Sequence, residues 1–182
     1  MYAWRYALTV RANGVSLWLV PEAAARERLV ARIADIAHRL GTPPFMPHVT
    51  VIGGLSQPAS EIVAGAERLA AGSEPLQLIA ASVGWRPDYF RCLFLEIAPA
   101  AALTDLHLRA CVTFGPLSEA QFFPHLSLAY GDVPEPAKQA LAAAVEIHRG
   151  ESFCVDELQV VRTEGEVGDW RPLAAFALSR RE

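Results

Sequence analysis

Two short segments of this chain share one pattern. Phe45-Met46-Pro47-His48-Val49-Thr50-Val51 and Phe122-Phe123-Pro124-His125-Leu126-Ser127-Leu128 both read Phe, any residue, Pro, His, aliphatic, hydroxyl, aliphatic, 77 residues apart. Side chains alternate across a strand, so residues i and i+2 share a face. On a strand, His48 and Thr50 point one way while Val49 and Val51 point into a core. His125 and Ser127 do the same, with Leu126 and Leu128 behind them. When two such strands border one cleft, two imidazoles and two hydroxyls converge.

Imidazole is the side chain whose ordinary pKa lies nearest neutrality. A pair can act as one neutral proton acceptor and one protonated donor. Hydroxyls can hydrogen-bond the non-bridging oxygens of a phosphate, and a cationic imidazole can stabilise charge developing there. In-line displacement at phosphorus needs a base on one side and an acid on the other. Hydrolysis of a strained cyclic phosphate suits this set, with no cofactor. The pattern leaves open which histidine is the base and which the acid. A zinc or iron site normally wants a third protein ligand, and no carboxylate or cysteine stands at a telling spacing beside either histidine. A lone strand histidine is usually structural, but the repeat argues otherwise for His48 and His125. His38, His107 and His148 have no partner motif and read as surface or structural groups.

The elements that must carry these residues are legible from periodicity. Residues 15–20 read as a strand stopped by Pro21. Residues 22–40 form the clearest helix, with Leu29, Ile33, Ile36 and Leu40 as a stripe widened by Val30 and Ala37, and Gly41 as the stop. The first motif lies on a strand at 46–52 ended by Gly53-Gly54. Residues 58–71 are helical, with Ile62, Ala66 and Leu69 inward. Segments 76–84 and 89–97 read as a hairpin around Trp85-Arg86-Pro87-Asp88. A helix over 99–113 uses Leu103, Leu106 and Ala110. The second motif lies on a strand at 121–130. An Ala-rich helix over 134–148 follows, opened by Pro134 and Pro136. Strands at 152–162 and 170–178 close the chain. Residues 4–10 form another strand or an ill-ordered lead-in. Helices and hairpins alternate without a regular βαβ rhythm, which predicts an α+β domain with antiparallel sheet. No glycine-rich phosphate loop follows any strand, so a dinucleotide or triphosphate fold has no support.

Composition narrows the class. The 182 residues are 52% apolar and 20% charged, which excludes a disordered chain. The length and the lack of a linker predict a single domain over 1–182, with 1–14 an unplaced lead-in. No long uncharged apolar run exists, so no membrane helix is expected, and the first 21 residues do not read as a signal peptide. Cys92, Cys111 and Cys154 are odd in number and widely spaced, as expected of reduced thiols in the cytoplasm. The net charge is −4, with one lysine, Lys138, among the 16 basic residues. Such a balance speaks against coating a long nucleic acid, although a local arginine cluster can still hold one phosphate. Arg86 and Arg91 flank the hairpin and read as solvated side chains or phosphate contacts.

The paired His-x-Thr/Ser-x segments resemble the signature of the two-histidine (2H) phosphoesterase superfamily. Within it, the chain resembles the cyclic phosphodiesterase family over roughly 15–178. Ser16 to Pro21 is similar to that family's first strand with its tryptophan, and Phe90 to Leu95 to its central hairpin strand. Pro124 to Tyr130 is similar to the second catalytic strand, and Leu158 to Thr163 with Trp170 to the closing strands. The resemblance implies a bilobal, pseudo-symmetric α+β fold, with two antiparallel sheets around a central cleft, helices outside and one motif per lobe. It implies metal-independent hydrolysis of 2′,3′-cyclic nucleotides to nucleoside 2′-phosphates, or of ADP-ribose 1″,2″-cyclic phosphate to the 1″-phosphate. His48 and His125 would then be the acid–base pair, and Thr50 and Ser127 would hold the phosphate. Trp18 would line the base or ribose side, Tyr130 would contact the phosphate, and Tyr89 or Phe90 would oppose it. The hairpin turn Trp85 to Asp88 and the first 14 residues depart from the family pattern. Two rival readings remain: a 2H enzyme acting on RNA ends, and a non-catalytic nucleotide-binding module. Intact histidines and hydroxyls count against the second. The pattern is silent on oligomeric state.

Overall fold

A computed structural model describes residues 12–115, 122–145 and 149–179. The expected strand at 4–10 and His148 lie outside these described residues. Among the described residues, seven strands and four helices follow one another: β1 (Val15–Pro21), α1 (Ala23–Leu40), β2 (Val49–Leu55), α2 (Ala59–Ala71), β3 (Leu76–Gly84), β4 (Leu93–Ile97), α3 (Ala101–Phe114), β5 (His125–Ala129), α4 (Glu135–Val145), β6 (Ser152–Arg162) and β7 (Arg171–Ala177).

The helices follow the apolar stripes. In α1, Ala25, Leu29, Ile33, Ile36 and Ala37 are buried. Val30, expected to widen that stripe, faces outward instead. Gly41 ends α1 in the left-handed conformation, φ 66°, which glycine adopts without a steric penalty. Ile62, Ala66 and Leu69 of α2 and Leu103, Leu106 and Ala110 of α3 are buried as their spacing requires. No described helix is long and apolar enough to cross a membrane.

Every strand pairing is antiparallel, in the order β1-β2-β5-β4-β3-β6-β7, with β1 also pairing β6. The fold is therefore α+β. The strands fall into the two groups the repeat suggests, β2-β1-β6-β7 and β5-β4-β3. These two groups are hydrogen-bonded into one continuous sheet rather than lying as separate sheets. Two features join them. The 11-residue β6 pairs with β3 through Ser152 to Val155 and with β1 through Val155 to Arg162. At the other side, β2 and β5 touch at the single pair Val49–Leu126.

The alternation predicted for the motifs sets the core. Val49, Val51, Leu126 and Leu128 are all at most 1% exposed and belong to one apolar cluster with Leu29, Ile33, Leu106 and Leu158. Burying each such side chain stabilises the fold by roughly 2 kcal/mol. Several boundaries differ from expectation: β1 includes Pro21, the two motif strands begin only at Val49 and His125, after the Phe-x-Pro stretch of each, and two further differences have a local cause. β2 runs through Gly53-Gly54, because the register with β1 shifts here and Gly54 takes φ 74°. In the hairpin, residues 89–91 form a 3₁₀ turn instead of strand, tied by the Arg86 N–H to the Arg91 carbonyl and by an Arg91–Asp88 ion pair at 3.0 Å.

Candidate active site

The single β2–β5 contact is the local two-fold of the repeat. The antiparallel pair Val49–Leu126 sets His48 across from Ser127 and Thr50 across from His125. All four side chains leave the sheet on the face opposite the buried Val49 and Leu126.

The same local device orients both imidazoles. His48 Nδ1–H donates to the Met46 carbonyl at 2.6 Å, and His125 Nδ1–H donates to the Phe123 carbonyl at 2.9 Å. Each acceptor lies two residues back, just before the proline. A residue preceding proline is held extended, which fixes where its carbonyl points. With Nδ1 protonated and anchored, Nε2 of each neutral ring is the acceptor. The repeat's proline thus helps set a tautomer.

The two rings sit in unequal surroundings. His48 is 5% exposed. The Trp18 ring stacks on it, centroids 3.6 Å apart and 9° from parallel, and the Tyr130 hydroxyl donates to Nε2 at 3.4 Å. Burial holds the His48 pKa down to about 4, and the neighbouring His125 adds to that. His125 is less buried. Its pKa is also lowered, first by burial and then by the positive charges of Arg91 and Arg86. Arg86 lies 4.6 Å over the Phe123 ring, which in turn packs on His125. Burial also raises the Tyr130 hydroxyl above the ordinary phenol range, so it stays a proton donor.

The other expected residues gather here. Ser127 Oγ–H donates to the Phe90 carbonyl at 3.2 Å, fixing the hydroxyl beside the 3₁₀ turn. Phe90 meets Tyr130 edge-on at 5.4 Å, and Tyr89 lies behind Phe90 at 5.0 Å. Phe90 is thus the ring of the hairpin that reaches the cleft group. Phe45, the first residue of its repeat, stacks on Tyr130 at 3.9 Å. Its counterpart Phe122 instead stacks on His107 of α3 at 3.9 Å. His107 Nδ1–H donates to the Val51 carbonyl at 2.8 Å, on the edge of β2 where β5 has already diverged. His107 therefore takes the structural one of the two roles its sequence position allowed. His38 is exposed on α1.

One site residue was named in the sequence only as part of a closing strand. Trp170 lies 5.7 Å from Trp18, 5.8 Å from Tyr130 and 5.8 Å from Phe90. Beyond Trp18 and Trp170 opens an apolar cleft of about 480 Å³, lined also by Phe45, Met46, Val161 and Pro172. Among the described residues, no group of three His, Cys, Asp or Glu side chains is arranged to hold a metal ion.

A family model described as "Cyclic phosphodiesterase-like protein" matches residues 13–178. The chain belongs to that family. It is a phosphodiesterase of the 2H phosphoesterase superfamily. A cyclic phosphodiesterase of Arabidopsis thaliana is 24% identical over 177 residues, covering 93% of this chain and 98% of the plant protein. TT0787 of Thermus thermophilus shares the fold with a TM-score of 0.66 at 19% identity, covering 90% of this phosphodiesterase and 97% of TT0787. E. coli LigT complexed with 3′-AMP gives a TM-score of 0.63 at 20% identity, over 93% and 100% of the two chains.

Proposed function

We propose that this phosphodiesterase hydrolyses the cyclic phosphate of a small nucleotide, a 2′,3′-cyclic nucleotide or ADP-ribose 1″,2″-cyclic phosphate, to the monophosphate ester. The convergence of two carbonyl-anchored imidazoles and two hydroxyls on one face of the β2–β5 pair carries this reading. LigT, which shares the fold, has been seen with 3′-AMP, which supports a small nucleotide as ligand.

In this reading His48 is the base. It is neutral at pH 7, and its Nε2 is the acceptor. Nε2 takes a proton from water as the water oxygen bonds to phosphorus. The P–O bond to one ribose oxygen breaks on the opposite side. His125, less buried and carrying a proton favoured by the bound phosphate anion, gives it to that leaving oxygen. Thr50, Ser127 and Tyr130 hydrogen-bond the non-bridging oxygens. Trp18 and Phe90 flank the sugar and base. The protein's own groups supply both proton transfers, so activity is expected to survive chelator.

A leaving-group experiment tests the assignment. A nucleoside p-nitrophenyl phosphate releases an oxyanion that needs no acid. His125→Ala should therefore hydrolyse it far better, relative to wild type, than it does a cyclic phosphate, whereas His48→Ala should be impaired on both. The reverse pattern would exchange the two roles. A mononucleotide favoured over an oligonucleotide would separate this reading from action on RNA ends.

A further inference from the structure

Trp170 stands where rings from both strand groups meet, against Trp18 on one side and Phe90 and Tyr130 on the other. It follows a 3₁₀ turn (Val167–Asp169) in the β6–β7 loop, while Phe90 belongs to the β3–β4 turn. The loop is braced: the Glu166 N–H bonds the Asp169 carboxylate at 2.9 Å, and Gly165 pairs with Ala12. The bracing leaves the ring itself held by aromatic contacts with Trp18, Phe90 and Tyr130.

Two observations argue that substrate binds to a different arrangement from this one. First, His48 Nε2 must face the reacting water, yet it accepts the Tyr130 hydroxyl and its ring is covered by Trp18. Second, Trp170 Nε1–H is shielded from solvent and has no acceptor among the described residues. A shielded donor without an acceptor destabilises the closed arrangement, and an oxygen-rich ligand would satisfy it. Room for the ring to move exists alongside, in the apolar cleft that Trp170 itself walls.

We infer that Trp170 is a gate. It closes against Trp18, Phe90 and Tyr130 beside the His48 site, swings toward the apolar cleft to admit a nucleotide, and donates its indole N–H to an oxygen of the bound substrate. This deepens the cyclic-phosphate reading and rests on it for the identity of the ligand.

The test uses the full chain and adenosine 2′-monophosphate as probe, with the indole N–H signal of Trp170 assigned from Trp170→Phe. Opening before binding makes the observed association rate of wild type level off with probe concentration, and in Trp170→Ala the rate should rise linearly. The Trp170 indole signal should move downfield on binding, as expected for a newly made hydrogen bond. Trp170→Phe keeps a ring but lacks the donor, so it should raise KM more than it lowers kcat. A wild-type rate that rises linearly throughout, or an indole signal that does not move when the probe binds, would overturn the gate. The gate is also read without ligand. Phe90→Ala should speed solvent exchange of the Trp170 indole proton by about 5-fold, the factor one aromatic pair is worth. If wild type neither binds the probe nor hydrolyses cyclic phosphates, the functional reading fails. The gate then stands or falls on that exchange rate, and an unchanged rate overturns it.

Discussion

At the scale of the residue, two imidazoles share the same backbone anchor and sit in different surroundings. Replacing either His48 or His125 by alanine should lower kcat toward a cyclic phosphate by at least about 100-fold, the usual worth of a positioned acid or base. Steady-state kinetics on folded variants checks this. Burial of His48 also ties stability to pH. Its pKa falls from 6.5 when unfolded to about 4 when folded. Above pH 6.5 both states are neutral and the full stability is present. As the pH drops from 6.5 to 4, the unfolded chain takes up a proton that the folded one refuses, and stability falls by about 3 kcal/mol. Denaturant titrations at pH 7.5 and 5 should show about 2 kcal/mol of this loss, and His48→Gln should show a shallower one. The histidines and hydroxyls were legible because the repeat isolates them from the other three histidines. The carbonyls of Met46 and Phe123 were not, since a backbone acceptor carries no side-chain signature. Trp170 was hidden for another reason: only the folded sheet brings residue 170 against Trp18, the ring that stacks on His48.

At the scale of the element, β3 and β4 position His125 indirectly. Phe94 of β4 meets His125 edge-on at 5.4 Å, and its ring lies where a Cβ on Gly84 of β3 would stand, 2.6 Å away. Gly84→Ala should therefore cost about 1–3 kcal/mol through overpacking and also lower kcat by tilting His125. Gly65→Ala is the control. Its Cβ would lie 2.5 Å from the Phe114 ring, so stability should fall similarly. The histidines are elsewhere, so kcat should hold. Equal kcat losses in both variants would contradict the positioning role of Phe94. His107→Ala removes the donor to the Val51 carbonyl and should cost about 1–3 kcal/mol in denaturant unfolding. Helices and strands were readable because their stripes alternate at 3.6 and 2 residues. The 3₁₀ turn at 89–91 was not, because its apolar residues continue the strand pattern while Asp88 and Arg91 tie the backbone into a turn.

At the scale of the whole molecule, one sheet carries both motifs. The pseudo-symmetry was visible in the sequence, but its joining was not. That depends on β6 being long enough to serve both strand groups, and on β2 meeting β5 at one residue pair. The net charge of −4 fits a small substrate held by local groups. Turnover should accordingly fall only weakly with salt, unlike that of an enzyme tracking many phosphates. The central claim is that two histidines, and no metal, hydrolyse a cyclic phosphate. It is tested most directly by following adenosine 2′,3′-cyclic phosphate by phosphorus NMR in the presence of chelator, with wild type, His48→Ala and His125→Ala side by side. Wild type should convert it to the 2′-phosphate alone, and each variant should be nearly inert. Full activity in either variant, or loss of wild-type activity to chelator, would contradict it.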